Sequence, residues 1–379
     1  VCVRRAGASA LGELPRRRSK QTCSEWRDGW TPARSCDGVV LPGLAPEAWQ
    51  PRDDEVGSGG YATVTSAEVG DRAKSKCPGA NLVAKRFKTS STENALDACV
   101  AGALSKGQDG PPVVAPADVN VDSDGRVVVL MEHAGQNLDR IVKSNGREWS
   151  LKTKKLIEDP RVRATNAVIV YQLLRGLQQA HAMDFVHCDV KPQNVMVKDV
   201  KGGPQVELID FDAGGVGFSR SGVCTQRYCS PARWVAAEEC TSADDIWAAG
   251  ATIYELLTQR RLITFDMLID KKVDYTPWSA WKSDKMLLNQ LAAEALDEQG
   301  KLMLEVLDGL LVENGTERVA NFASVVDKVR DIAEAVAEPF GFSLDPERSA
   351  LPEECIAELR SGRTLPDLTL TQCFSNYRT

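Results

Sequence analysis

The segment Val186-His187-Cys188-Asp189-Val190-Lys191-Pro192-Gln193-Asn194-Val195-Met196-Val197 constrains this chain more than any other. It sets a carboxylate, a lysine two residues on and an amide five residues on inside one tight loop. Each suits phosphoryl transfer: Asp189 can accept the proton of an attacking hydroxyl, Lys191 can neutralise a migrating phosphoryl group, and Asn194 offers an oxygen to Mg2+. Downstream, Glu207-Leu208-Ile209-Asp210-Phe211-Asp212 is a strand-like run ending in two carboxylates, with Asp210 the natural second metal ligand. An aspartate at a strand end is often only a turn former. Its place in an ordered series of elements argues for the metal role.

Two upstream elements complete that series. Gly57-Ser58-Gly59-Gly60-Tyr61-Ala62-Thr63-Val64 lies between strand-like runs, where glycines let backbone N–H groups approach a phosphate. Taken alone it reads equally well as a hairpin turn. A strand follows it, which excludes a dinucleotide fingerprint, and no Gly-Lys-Ser/Thr closes it as a Walker loop. Val83-Ala84-Lys85 then ends a β-like run. Its lysine either snorkels to solvent or supplies a point charge for α- and β-phosphates.

Hydrophobic residues make up 43% of the 379 and charged residues 26%, which are globular values. A net charge of -7 argues against a general nucleic-acid binder, since phosphates demand a basic surface. The 11 cysteines are odd in number and form no C-x-x-C pair, so they read as reduced thiols of an intracellular protein, cytoplasmic or else nuclear. Val127–Met131, the longest clean apolar run, is too short to span a bilayer, and no secretory apolar region opens the chain.

Residues 1 to about 50 are rich in Arg, Pro, Gly and Ser and read as a flexible leader. Arg16, Arg17, Arg18 and Lys20 form a basic cluster in it, either simply solvated or a docking or import signal. Strand-like runs follow at Thr63–Val69, Leu82–Phe87 and Val127–Met131, interrupted by a helical stretch near Thr92–Leu104. Helical spacing then dominates over Ala164–Met183, Ala243–Leu257 and Val319–Val336. Strands first and helices later predict an α+β plan with two subdomains. The tail beyond Pro339 carries one short helical candidate, Pro352–Leu359.

These residues resemble the eukaryotic protein kinase family, in order and in spacing, over about residues 53–335. The resemblance implies a two-lobed fold, with a small β-rich N-lobe over about 51–134, a large helical C-lobe over about 135–337, and a tail over 338–379. It implies a protein serine/threonine kinase acting on Ser/Thr hydroxyls of protein substrates, with ATP as co-substrate and Mg2+ as cofactor; the charge and the short apolar runs add the expectation of no nucleic-acid partner and no membrane span. Leu130-Met131-Glu132-His133-Ala134 is similar to the adenine-binding hinge, with Met131 as gatekeeper and Glu132 and Ala134 lending backbone groups. Val56, Val64 and Ala84 would touch adenine, Gly57, Ser58, Gly59 and Gly60 would cover the phosphates, and Lys85 would hold them. Asp189, Lys191 and Thr225 would be catalytic, and Asn194 and Asp210 would bind the metal. Thr225-Gln226-Arg227-Tyr228-Cys229-Ser230-Pro231 is similar to the substrate-facing end of the activation segment, Asp244–Gly250 to the start of the buried central helix, and Glu317-Arg318-Val319 to the late arginine site.

Several positions depart from the family pattern. Ala62 replaces a loop glycine, and Asp212 replaces the glycine after Asp-Phe, adding a carboxylate near the metal. Cys188 stands where an arginine usually grips an activation-loop phosphate, so Ser219 and Ser221 lose their default regulatory role; as the one cysteine in the cleft, Cys188 is also the candidate reactive thiol. Ala232 replaces the glutamate partner of the late arginine, leaving Arg318 to find Glu238 or Glu239. The acid that should pair with Lys85 is either Asp97 or Glu93. His181 and His187 read as structural, and Trp278 and Trp281 as lobe packing. Two rival readings share the fold: a pseudokinase scaffold, favoured by Asp212, Ala232 and the doubtful Lys85 partner, and a small-molecule phosphotransferase of the aminoglycoside or choline kinase type.

Overall fold

The computed structural model describes residues 43, 47–90, 92–106, 110–148, 159–216, 224–236, 239–259, 261–263, 268–269, 272–273, 298–346, 351–365 and 367–377. The basic cluster of the leader, Ser219, Ser221, Glu238, Trp278 and Trp281 lie outside these residues.

Five antiparallel strands build the N-terminal sheet: β1 (Trp49–Ser58), β2 (Ala62–Val69), β3 (Leu82–Phe87), β4 (Pro116–Val121) and β5 (Val127–Glu132), in the order β1-β2-β3-β5-β4. β1 begins two residues inside the stretch assigned to the leader. Trp49 is fully buried there, and its indole Nε1 donates to Asp118 Oδ2 at 3.0 Å. The short helix α1 (Asp71–Lys74) fills the β2–β3 connection, and α2 (Leu96–Leu104) crosses the sheet after a 3-10 turn at Thr92–Ala95. The pleat sorts β3 into two faces. Leu82 and Ala84 enter a cluster with Trp49, Val128 and Leu130, whereas Phe87 and Val129 pack with Ala98 of α2 on the other side. Val64 and Val129 are the cross-strand partners of Lys85, so this lysine shares the α2 face.

The remainder is mostly helical. α3 (Leu138–Glu148) follows the two-residue strand β6 (Gln136–Asn137). α4 (Pro160–Ala182) starts with Pro at its first turn and with Asp159 as N-cap, which accepts from the amides of Arg161 and Val162. Four short strands then frame the predicted catalytic segments: β7 (Phe185–Val186), β8 (Val195–Val200), β9 (Gly203–Leu208) and β10 (Gly215–Val216). α5 (Pro231–Ala236) leads to α6 (Ser242–Thr258), which opens with a Thr241–Asp244 capping box and is buried over most of its length. α7 (Glu298–Leu310) and α8 (Gly315–Ala337) pack against it, and the shared core includes Leu173, Leu174, Leu177, Trp247, Val306 and Val329.

The tail returns to the sheet instead of trailing away. α9 (Glu353–Leu359) buries Cys355 and Leu359 in the Trp49 cluster, and Arg363 pairs with the buried Asp118 at 2.9 Å. A second tail helix, α10 (Leu370–Tyr377), was not expected; its Phe374 stacks on Phe185.

The expectation of reduced thiols fails. All eight cysteines among the described residues are paired, as Cys77–Cys355, Cys99–Cys373, Cys188–Cys240 and Cys224–Cys229. Two pairs join positions more than 270 residues apart, so no local spacing could advertise them. Among the described residues no helix is long and apolar enough to cross a membrane.

Candidate active site

Lys85, on β3, meets Asp97 of α2: Nζ lies 2.6 Å from Asp97 Oδ2 and 3.2 Å from Asp210 Oδ1. Burial alone would pull this ammonium down, but Asp97 and Asp210 outweigh it and hold its pKa above the ordinary lysine range. Asp97 thus answers the open question of the lysine's partner. Its second oxygen, Oδ1, accepts the backbone N–H of Phe211 at 2.8 Å. One short side chain therefore joins α2 both to β3 and to the Asp210-Phe211-Asp212 segment. Asp210 has φ +72°, in the left-handed region that non-glycine residues rarely adopt. Phe211 is buried against His187 and Phe185 at 5.1 and 6.0 Å between ring centroids.

The loop between β7 and β8 holds the second cluster. Thr225 Oγ1 donates to Asp189 Oδ1 at 2.6 Å, and Lys191 Nζ reaches Asp189 Oδ2 at 2.5 Å and Thr225 Oγ1 at 3.2 Å. Asn194 Nδ2 donates to the Asp189 carbonyl and Oδ2 at 2.9 and 3.1 Å. Ile209 N–H donates to the Asn194 carbonyl at 3.2 Å, tying this loop to the residue before Asp210. Beneath lies Asp245 of α6, whose two oxygens accept the backbone N–H groups of His187 and Cys188 at 2.8 and 2.7 Å. Burial would raise the Asp245 carboxyl, but hydrogen bonds from His181 and the His187 backbone, with the nearby imidazoles, keep it below the usual value. His181 Nε2 is 3.0 Å from Asp245, and His187 Nε2 is 3.1 Å from the Ile209 carbonyl. Both histidines hold the loop, as their positions in the sequence suggested.

The donor set fits a nucleotide–magnesium pair. Asp212 is pushed up to about 6, chiefly by burial and then by the neighbouring Asp210 and Asp97. That crowding of carboxylates creates the negative potential that a divalent cation relieves. The glycine loop fits too. Gly59 N–H closes a tight turn onto the Ala62 carbonyl at 2.9 Å, yet a Cβ on Gly57 or Gly60 would meet no protein atom within 4 Å. The fold itself does not demand glycine at those two positions, which matches a role in approach to a ligand. Ser58, Gly59 and Gly60 are exposed, and Val56 and Gly57 are half-buried.

At the end of β5, His133 N–H bonds the Asn81 carbonyl at 2.8 Å, and across the lobes Glu132 pairs with Lys198 at 2.6 Å. Ala134 is buried beside them, and Met131 is paired with Val83 across the sheet, on the face that carries Lys85.

Three expectations are corrected. Ala84 does not share the face of Lys85; alternate strand residues point to opposite sides, and Ala84 is buried with Trp49 and Leu130. Val83 takes its place, a substitution legible from the period of two. Cys188 is no free thiol but is buried and bonded to Cys240. Arg318 does not turn to Glu239, which is exposed; its guanidinium bonds the Ala243 and Val312 carbonyls and sits over the Trp247 ring at 5.4 Å. Burial brings Arg318 down to about 10, with the nearby Asp244 carboxylate offsetting only part of the shift.

Residues 51–335 match the model of the protein kinase domain. Over 160 residues the chain is 30% identical to serine/threonine-protein kinase pkn3 of Myxococcus xanthus, covering 39% of this chain and 27% of that protein. It is 34% identical over 101 residues to mitogen-activated protein kinase 4 of Homo sapiens, covering 25% of this chain and 17% of that protein. With cyclin-dependent kinase 8 of Caenorhabditis briggsae it shares 28% identity over 226 residues, 55% of this chain and 35% of that protein. The chain thus spans well under half the length of these relatives. The extent of the domain match, together with the ordered clusters around Lys85 and Asp189, leads to one conclusion: this chain belongs to the protein kinase domain family.

Proposed function

We propose that this chain is an ATP-dependent protein kinase that transfers the γ-phosphoryl group to serine and threonine hydroxyls of protein substrates. The observation that carries the reading is the Thr225–Asp189–Lys191 cluster, in which a hydroxyl and an ammonium aim one carboxylate. Lys85, steadied by Asp97, holds the α- and β-phosphates. Val64, Val83, Met131 and the backbone from Glu132 to Ala134 hold adenine, while residues 57–60 cover the phosphates. Asp210 and Asn194 would hold Mg2+, which supplies charge neutralisation for the leaving diphosphate. Asp189 orients the incoming hydroxyl and receives its proton, and Lys191 faces the transferring group. Positioning and electrostatics carry the rate.

The kinase domain runs from β1 to the end of α8, and the tail from residue 338 packs back onto its sheet. A scaffold without catalysis has less support once Lys85 has an acidic partner. Eight paired cysteines favour an oxidising compartment over the cytoplasm.

The test is transfer of radiolabel from γ-labelled ATP to generic protein acceptors, beside Asp189→Ala. Labelled phosphoserine or phosphothreonine with the wild type alone supports the reading. ATP binding without transfer would make the chain a scaffold, and transfer to small molecules alone would make it a small-molecule phosphotransferase.

A further inference from the structure

We propose that the Cys188–Cys240 disulfide positions the catalytic loop, with Cys224–Cys229 bracing the facing wall, so that the enzyme turns over in its oxidised form; this rests on the kinase function proposed above. Cys188 immediately precedes Asp189 and has φ +65°. A left-handed conformation at a non-glycine residue is unfavourable and persists only when its surroundings hold it. Here the hold is threefold. The His187 and Cys188 amides donate to Asp245, and the Cys188 sulfur is bonded to Cys240, one residue before the capping box of α6. Cys188, Cys240 and Asp245 are all buried, and Cys240 and Asp245 are at 0% and 1% exposure, so the clasp is set in the core of the lobe.

The facing wall is stapled in the same way. The Cys224–Cys229 bond closes a small ring that contains Thr225 and Tyr228. Within it Tyr228 N–H donates to the Thr225 carbonyl at 2.8 Å, and the Tyr228 hydroxyl anchors the ring to Glu255 of α6 at 2.7 Å. Thr225 then reaches across to Asp189. Both disulfides line one cavity together with Asp189 and Thr225. The first bond fastens the residue before Asp189 to the segment that leads into α6, and the second closes the ring that carries Thr225, which Tyr228 anchors to α6.

Reduction by a dithiol protein or reagent would break the S–S bond. The dithiol supplies two electrons and two protons, becomes a disulfide, and leaves two thiols at 188 and 240. Asp189 then loses one of its holds, and a displacement of about 1 Å in a reacting group costs about 10²-fold in rate. Nucleotide binding should be spared, so kcat falls while KM for ATP does not move.

The experiment uses the full chain, oxidised, with the pairings verified by peptide mapping under non-reducing conditions. Transfer kinetics are measured for the wild type, for Cys240→Ser, and for Cys77→Ser/Cys355→Ser as a control that removes a distant disulfide; binding of Mg-ATP is followed by thermal shift. The expected result is that Cys240→Ser loses about 10²-fold in kcat with KM for ATP unchanged, while the control keeps its kcat. Graded dithiothreitol should lower wild-type kcat in step with the appearance of alkylatable Cys188 and Cys240, and reoxidation should restore it. A Cys240→Ser variant with wild-type kcat would overturn the proposal. So would a loss of kcat matched by loss of Mg-ATP binding, which would make the bond a fold staple only. Recovery of Cys188 and Cys240 from active protein as free thiols, or as ligands with Asp245 of a bound metal ion, would also overturn it. An oxidised wild type that transfers nothing would instead refute the kinase function itself, and this inference with it.

Discussion

Replacement of Asp97 tests the coupling between α2, β3 and the Asp210 segment. The side chains of Lys85 and Asp97 are only 14% and 10% exposed, so truncating one leaves a charge in a largely dry site. Breaking a buried pair costs about 3–5 kcal/mol. Lys85 keeps Asp210 at 3.2 Å, which places the loss at the low end of that range. Asp97→Ala also strips the acceptor from the Phe211 N–H, adding about 1 kcal/mol. The alanine variant should therefore lose about 4 kcal/mol, and Asp97→Asn, which retains an acceptor for Phe211, about 3 kcal/mol. Urea unfolding of the two variants beside the wild type measures both figures, and their difference isolates the Phe211 hydrogen bond. In the transfer assay both should show kcat/KM for ATP lower by about 10²-fold, because Lys85 is left to Asp210. If both variants unfold within about 0.5 kcal/mol of the wild type, as surface substitutions do, the pair has no structural role and the coupling argument is refuted.

Asp210→Asn should lower turnover at least roughly 10²-fold, the loss typical of removing one charge-stabilising group; steady-state kinetics across Mg2+ concentrations check it. Asp245→Asn leaves one of the His187 and Cys188 amides without its carboxylate oxygen and should cost about 3 kcal/mol at pH 7. Because the folded-state pKa of Asp245 is depressed, its contribution is complete above the unfolded value of 3.8 and is lost as pH falls below it. Urea midpoints of wild type and variant should accordingly stay apart above pH 3.8 and draw together only as the pH is taken below it. Cys99→Ser/Cys373→Ser, which frees α2 from α10, should lose about 2–4 kcal/mol in thermal or urea unfolding, with little change at 10 mM dithiothreitol relative to reduced wild type.

The candidate site was the most legible part of the chain because most of its residues lie close together in sequence. Asp189, Lys191 and Asn194 occupy one loop and Asp210 a strand end, in an order that resembles the protein kinase family. α6 and α8 announced themselves by helical periodicity, and their observed ends lie within a few residues of the expected ones. Asp97 stayed ambiguous against Glu93 because one helical turn separates candidates on a single face, and only the depth of α2 in the sheet decides. Ala84 lies one residue from Lys85 on β3, so the strand's two-residue period by itself turns it to the opposite face. The disulfides could not be read in this way. Cys77 and Cys355 meet only because the tail doubles back over the sheet, and that path depends on Arg363 finding Asp118 and on Leu359 filling the Trp49 cluster. α10 was missed for the same reason: it is short, and its burial comes from Phe185 and α2, far away in sequence.

The Cys77–Cys355 bond gives the two halves of the enzyme a second covalent junction. The main chain passes from sheet to helices once, through residues 132–137, and the tail passes back and is fastened at Cys77. The polypeptide is in this sense a closed circuit. A single proteolytic nick anywhere between 77 and 355 would leave both fragments attached, to be released only after a thiol reagent is added. The halves also cannot swing apart like a book on one spine. The Cys99–Cys373 bond ties the tail to α2 as well, so the tail is held to the N-terminal half at two points.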